Sequence, residues 1–448
     1  MFKMKTITLS LLALLLVMSF ASCASDTTSD LPLPSKDMKA YLQVKVTVEG
    51  SGDTRASRAA TEPKGGEEGD GREKGINKEN DVNSLTVLLY KSGKDDLSEA
   101  DATIDYVYTF TNLNKVTTSS GSDATYTTVP REIDASIVGK NYHVIVIANA
   151  DDMTSRCKGK ISEVRDLQMS KVCTRDADIT NFSNFIMSSK TDAMIDFTKE
   201  GSETDPYVVN VDIERLAARI DIIPNATYVD TDKGYYYNVM DGTNVVGGFK
   251  LESVTPTKVM TSGEYLIKRV SSDNTVSSVT YFGVEAKNAD NKATNYVVCP
   301  WTKDRTGLTL SNAEGPTSLY NVKMTTSTST TDPSYILDYV MENTTTDNAE
   351  DYSTGLIFKG KYYEETEWDA TKKQPKAGFT GTDKKYTYTL RHSDPSGSGT
   401  TADPMHFGVV RNNIYQVKVE GVEGKSKGIK LTIHVVPWAH YDHGEVIY

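Results

Sequence analysis

The segment Ala40-Tyr41-Leu42-Gln43-Val44-Lys45-Val46-Thr47-Val48 alternates apolar and polar residues without a break. Side chains along a strand point to opposite faces in turn. Leu42, Val44, Val46 and Val48 therefore share one face, and Gln43, Lys45 and Thr47 share the other. This is a strand with one buried face, and the stretch after it sets it apart from the rest of the chain. Glu49 to Asn80 is rich in Gly, Glu, Lys, Ser and Asp and nearly devoid of large apolar residues. Such a stretch buries too little surface to order itself, so it reads as an exposed, flexible linker. It contains Arg55-Ala56, Arg58-Ala59 and Arg72-Glu73. An arginine in a solvated, mobile segment is a natural target for a trypsin-like protease, and a cut here would separate the isolated strand from the body of the protein.

The other end of the chain repeats the pattern. Ile429-Lys430-Leu431-Thr432-Ile433-His434-Val435 alternates in the same way and continues through Val436-Pro437-Trp438 to Glu445-Val446-Ile447-Tyr448. Gly421 to Gly428 reads as a hinge-like lead-in. Pro437 has no N–H for a ladder, so it marks a bend or an edge between two short strand pieces. On pattern alone this tail is equally well a last core strand. Two segments with the same alternation can, however, compete for the same slot in a sheet.

Between the two ends the chain is a succession of strands. Thr, Ser, Tyr and Val are abundant, which favours strands over helices. Ser84 to Tyr90, Asp105 to Phe110, Tyr142 to Ala148 and Tyr207 to Ile213 have strand character. So do Gly248 to Val254, Thr294 to Val298, Gly355 to Tyr362, Lys385 to Arg391 and Ile414 to Val419. Ile161 to Cys173 is the one helix expected near the first group. Glu214 to Ile222 reads as the junction between two domains, and long polar loops cover Thr325 to Ser334 and Ser393 to Ala402. The expected fold is all-β, two β-sandwiches in tandem.

At the N-terminus, Lys3 and Lys5 precede an apolar run from Ile7 to Val17, too short for a membrane-spanning helix. Phe20-Ala21-Ser22-Cys23 then forms a lipobox, which predicts cleavage before an acylated Cys23. No later segment is apolar enough to cross a bilayer, so lipid is the expected tether. The net charge of −12 argues against nucleic acid as a partner. Cys157 and Cys173 are either a disulfide or two free buried thiols, with Cys299 left over.

Nothing in the sequence assembles a catalytic or metal site. Gly421-Val422-Glu423-Gly424-Lys425-Ser426 has a partial likeness to a phosphate-binding loop, but its glycines are too close together. His440, Asp442 and His443 lack a zinc-type pattern. Asp95-Asp96 and Asp151-Asp152 fall in turn-like segments without a calcium-loop motif. No cofactor and no enzymatic activity are expected.

Taken in order along the chain, several segments resemble the Bacteroidales fimbrillins, the subunits of type V pili. They are the lipobox, the first strand with its Arg-Ala linker, and Glu214-Arg215-Leu216-Ala217-Ala218-Arg219-Ile220. Ile357-Phe358-Lys359-Gly360-Lys361-Tyr362 and Val410-Arg411-Asn412-Asn413-Ile414-Tyr415 belong with them. The tail around Val435-Val436-Pro437-Trp438 is most like that of the shaft subunit of the minor, or short, fimbriae. The resemblance implies two tandem Greek-key, transthyretin-like β-sandwiches, with a C-terminal donor strand carried by Ile429, Leu431, Ile433, Val435, Trp438, Val446 and Ile447. It implies a lipid-anchored precursor on the outer membrane, from which an Arg-specific protease removes the strand bearing Leu42, Val44, Val46 and Val48. The cut falls after Arg55, nearest the strand, or after Arg58, giving a chain that starts at Ala56 or Ala59. The expected organisation is a signal peptide at 1–22, a propeptide at 23–55 (or to 58), sandwiches at 56–213 and 214–428, and the donor tail at 429–448.

The implied partners are further copies of the same chain in a head-to-tail polymer, accessory subunits and an anchor of the extracellular fimbria, the protease, and host or bacterial surface receptors. Two other roles compete. An accessory or tip adhesin would need no donor strand of its own. A glycan-binding surface lipoprotein would keep its lipid and display aromatic platforms, whereas this chain has three tryptophans and a linker that would detach it.

Overall fold

The computed structural model describes residues 39–48, 73–74, 77–91, 102–116, 124–165, 167, 169–175, 182–190, 193–198, 201–226, 228–229, 234–260, 266, 322–323, 335–344, 353–391, 408–424 and 428–439. Almost every element is a strand, so the fold class is all-β as expected, and the strands gather into two principal sheets. The first contains β1 (Ala40–Val48), β2 (Leu85–Tyr90), β3 (Ile104–Phe110), β4 (Thr125–Thr128), β5 (Arg131–Ile133), β6 (Asn141–Ala148), β7 (Met187–Ser189) and β8 (Tyr207–Arg215). Its order is β3-β2-β6-β7-β8-β1-β4, closed by the short Leu113–Val116; β5 lies beside β1, and Ala193–Asp196 beside β6. All residues of β2 and all but the first of β6 are buried. Their near-continuous apolar sequences suit central strands covered on both faces.

The second sheet contains β9 (Ala217–Ile223), β10 (Gly234–Asp241), β11 (Asn244–Thr257), β12 (Tyr335–Met341), β13 (Gly355–Glu364), β14 (Thr382–Thr389), β15 (Asn413–Glu423) and β16 (Gly428–Ala439). The order is β12-β9-β15-β10-β11-β13-β14, with β16 on β15. Each sheet encloses its own apolar core. The first core reaches past β8 to include Ala217, Tyr339, Met341 and Ile414, so the two bodies are packed together where the chain passes from one to the other.

Several expectations need correction. The helix at Ile161 to Cys173 is a single turn, Ile161–Arg165; further on, the Ile186 N–H donates to the Val172 carbonyl at 2.8 Å and Thr174–Arg175 pairs as a short strand with Phe182–Ser183, so this stretch is tied to residues after it. Pro437 makes no break: β16 runs through it, opposite Asn413. A proline is accommodated there because β16 is a border strand, whose missing N–H costs the sheet little. Gly421 and Val422 lie inside β15 and pair with Lys430 and Ile429, and Glu423 pairs with Gly428, so the first part and the end of the expected hinge belong to strands. The strand expected at 385–391 sits earlier, as β14. Cys157 and Cys173 are free and buried, and burial pushes their thiols up to about 11 and about 12. Thr294 to Val298, Cys299 and the two long polar loops lie outside the described residues.

Candidate functional site

The alternating segment at the N-terminus is the centre of the site. Leu42–Val48 of β1 runs parallel to Tyr207–Ile213 of β8, residue for residue. On its other edge, Lys45–Thr47 is antiparallel to β4 and Ala40–Leu42 to β5. Side chains bridge the gap between these two ladders: the Val44 N–H donates to Thr128 Oγ1 at 2.9 Å, and Gln43 Nε2 donates to the Thr128 carbonyl at 2.9 Å. At the far end the Val48 N–H donates to the Ala124 carbonyl at 3.0 Å. Ala40, Leu42, Val44, Val46 and Val48 are all 0% exposed. Lys39 and Glu132 pair at 3.1 Å in solvent and contribute little.

β1 is thus a central strand that is covalently continuous with none of its neighbours. Its partners come later in the sequence by about 80 residues or more, and parallel pairing to β8 is possible only because a long crossover separates them. Burial of its four larger aliphatic side chains stabilises the body by ~6–12 kcal/mol as an upper bound, at ~1.5–3 kcal/mol each. If β1 were withdrawn, an open channel would remain between β8 on one side and β4 and β5 on the other, with unpaired backbone groups on both walls.

The expected donor residues are placed differently from one another. Ile433 is buried in the core of the second body, and Ile429 and Leu431 are half-buried against it. Val435 and Pro437 are in register with Tyr415 and Asn413 of β15, and Trp438 lies beyond that ladder. In the single chain, then, the first half of the tail belongs to its own second sheet. Val446 and Ile447 lie outside the described residues, as do Cys23, Arg55, Ala56, Arg58 and Ala59.

β8 ends at a buried polar cluster that fastens the two bodies. Arg215, fully buried, donates from Nε to the Glu79 carbonyl at 2.9 Å, from Nη1 to Asn412 Oδ1 at 3.2 Å and from Nη2 to Asn80 Oδ1. Arg219, four residues on, grips Asp221 through Nε at 2.9 Å and Nη2 at 2.6 Å, and reaches Glu79 Oε1 through Nη1 at 3.2 Å. The Tyr339 hydroxyl donates to the same Glu79 oxygen. Burial alone would lower the Arg219 pKa, but Asp221 and Glu79 outweigh it and hold the guanidinium charged. Asn412 stands at φ +56°, a left-handed conformation that asparagine tolerates, and this aims its side chain at Arg215. Beside the cluster, Arg175 of the first body pairs with Asp338 of the second at 2.9 Å. Burial pushes Asp338 up to about 7, against the opposing pull of Arg175.

The sequence places Glu79 and Asn80 at the end of an exposed linker, whereas both are fully buried here because Arg215 and Arg219 take up their polar groups; Asp338 and Tyr339 are not singled out by the sequence. A signal exists: Arg219 and Asp221 interrupt a run of buried-strand residues from Leu216 to Ile223, and charges in such a run must find partners inside the protein. Which partners they find cannot be read locally. Among the described residues no group of three or more His, Cys, Asp and Glu stands together to hold a metal ion, and no helix is long and apolar enough to cross a membrane.

Residues 40–215 match the family of the Major fimbrial subunit protein (FimA). No curated protein sequence matches. Among solved structures, the chain is similar to a fimbrilin (FimA) of Porphyromonas gingivalis, with 15% identity over 90% of this chain and 99% of that one and a TM-score of 0.43. It is also similar to the tip fimbrial protein Mfa3 of Porphyromonas gingivalis with a C-terminal truncation (13% identity, 89% and 100% covered, TM-score 0.42). A fimbrial assembly protein of Parabacteroides distasonis gives 11% identity, 88% and 95% coverage and a TM-score of 0.38. At these TM-scores the likenesses are remote.

Proposed function

We propose that this chain, a fimbrial-subunit protein by the family match of its residues 40–215, is a structural shaft subunit that polymerises by exchanging β1 for the tail of a neighbouring copy. The observation that carries this reading is β1 itself. It is fully buried on its apolar face, paired on both edges, and joined to the body only through a linker that contains Arg55, Arg58 and Arg72.

The precursor is tethered by lipid on Cys23 at the outer membrane. While β1 is attached, it holds its slot by effective concentration. Cleavage after Arg55 or Arg58 removes that advantage, β1 leaves with the lipid, and an incoming strand with the same alternation takes its place. Burial of the new strand repeats the ~6–12 kcal/mol above, offset by ordering the tail and by lost translational freedom. Release requires a whole strand to unzip, so the contact is durable. A head-to-tail contact of this kind does not close on itself, and it therefore grows a filament. Accessory subunits, an anchor and surface receptors are the further partners of such a filament.

One observation favours a second reading. Ile429, Leu431 and Ile433 already serve the core of their own second body. A tail used in this way suits an accessory or tip subunit that accepts a strand and donates none. The experiment that tests the first reading is N-terminal sequencing of protein sheared from the cell surface. A start at Ala56 or Ala59 supports removal of lipid and β1; a chain still beginning at acylated Cys23 overturns it. Filaments built from this chain alone in vitro separate shaft from tip.

A further inference from the structure

The ladder between β16 and β15 ends at Pro437, opposite Asn413. Beyond that point the tail has left β15, yet it still has a partner. Trp438 and Ala439 pair in parallel with Glu73 and Lys74, which lie just ahead of the joint in the sequence. Only five residues after Lys74 comes Glu79, whose carboxylate is held by Arg219 at 3.2 Å and by the Tyr339 hydroxyl, and whose carbonyl accepts from Arg215 at 2.9 Å. Asn80 is held by Arg215 as well. Residues 73–80 thus connect a buried anchor to the point where the tail leaves its sheet.

We infer that Glu73 and Lys74, tethered in sequence to the Glu79 and Asn80 anchor, act as a strap that holds the tail on its own second sheet and restrains it from being donated. A two-residue ladder between free segments would count for nothing. This one is rooted: the three steps from Lys74 to Asn77 span ~10 Å at most, so Glu73 and Lys74 stay at a high effective concentration beside Trp438 and Ala439. The strap covers the place where β16 is weakest, since no residue beyond Pro437 pairs with β15 among the described residues. It also lies downstream of Arg55, Arg58 and Arg72, so cutting after any of the three leaves it attached to its anchor. Proteolysis opens the groove but does not free the tail; the strap must be displaced, and the backbone edges of a neighbour's open groove are what can displace it. The consequence for assembly rests on the donor-strand reading above, whereas the strap itself does not.

The test uses the full-length chain with Glu73→Pro and Lys74→Pro together, which removes both strap N–H groups and leaves tail, anchor and core untouched. Hydrogen exchange at the amides of Val435, Val436, Trp438 and Ala439 is expected to become at least ~5-fold faster, with β9 unchanged. A second variant lengthens the tether by about ten Gly and Ser residues after Lys74, keeping the ladder residues, and is expected to act in the same direction because effective concentration falls with tether length. Unchanged exchange in both variants overturns the strap. The cleaved forms are then followed by light scattering. Faster exchange with earlier polymerisation supports both strap and donor; faster exchange with unaltered polymerisation supports the strap and overturns the donor reading.

Discussion

Thr128 does two jobs for β1: its hydroxyl accepts from Val44 and its carbonyl accepts from Gln43, at the gap between the β4 and β5 ladders. Thr128→Val leaves the Val44 N–H buried and unsatisfied, which costs about 1–3 kcal/mol. In urea unfolding, the intact chain is expected to lose that much, and a chain starting at Ala56 much less, because β1 is gone from it. Asp338 makes a second prediction. Its folded pKa is raised to about 7 from an ordinary value near 3.8, so the folded state holds the proton more tightly than the unfolded one. Its contribution to stability is complete below the ordinary value and is lost as pH rises through about 7. Asp338→Asn abolishes this loss. Its melting temperature relative to the parent chain should therefore climb between acid and neutral pH, by an amount equivalent to on the order of 4 kcal/mol at most, and then level off. A flat difference would show that Arg175 keeps Asp338 ionised throughout.

At the scale of elements, the two alternating segments are alike in sequence and unlike in use. β1 commits its whole apolar face to the first core, and β16 commits Ile433 to the second. Ile433→Asp would bury a charge in that core, so it is expected to lower the stability of the monomer as well as block assembly. Leu431→Asp, at a half-buried position, should be the milder of the two. Removal of residues 440–448 leaves the β15–β16 ladder intact. If Val446 and Ile447 fill the groove of a neighbour, this truncation abolishes filaments while the melting temperature stays the same; filaments of normal length would exclude them. Period-2 alternation made β1, β8 and the tail legible as strands. It could not say which strands they lie beside, because every partner of β1 is distant in sequence and nothing local encodes a parallel register with Tyr207–Ile213.

At the scale of the whole molecule, β8, the parallel neighbour of β1, and the tail are mechanically continuous. β8 passes through Leu216 directly into β9, β9 pairs with β15, and β15 pairs with β16. A pull on the tail therefore reaches β8, beside β1, through two ladders and one covalent turn. Arg215 and Arg219 flank that turn, and Glu79 ties them together. Glu79→Ala removes the carboxylate from that tie and leaves Arg219 and Tyr339 with less of their buried partner set. Calorimetry is expected to show one cooperative transition giving way to two, as the bodies unfold separately. A single transition shifted as a whole would mean that the apolar contacts of Leu216, Ala217, Tyr339 and Ile414 suffice to couple them.

The sequence by itself determined the all-β class and the strand character of both ends. These come from side-chain alternation and from composition, which act over a few residues and need no partner to be read. Tertiary structure alone decided that β1 is central rather than peripheral, that the first half of the tail is built into the second core, and that Glu79 joins Arg215, Arg219 and Tyr339. Hydrogen bonds between strands and charges inside a core are pairings between residues far apart in the chain. A pattern says what each segment needs, and only the folded arrangement says what meets that need.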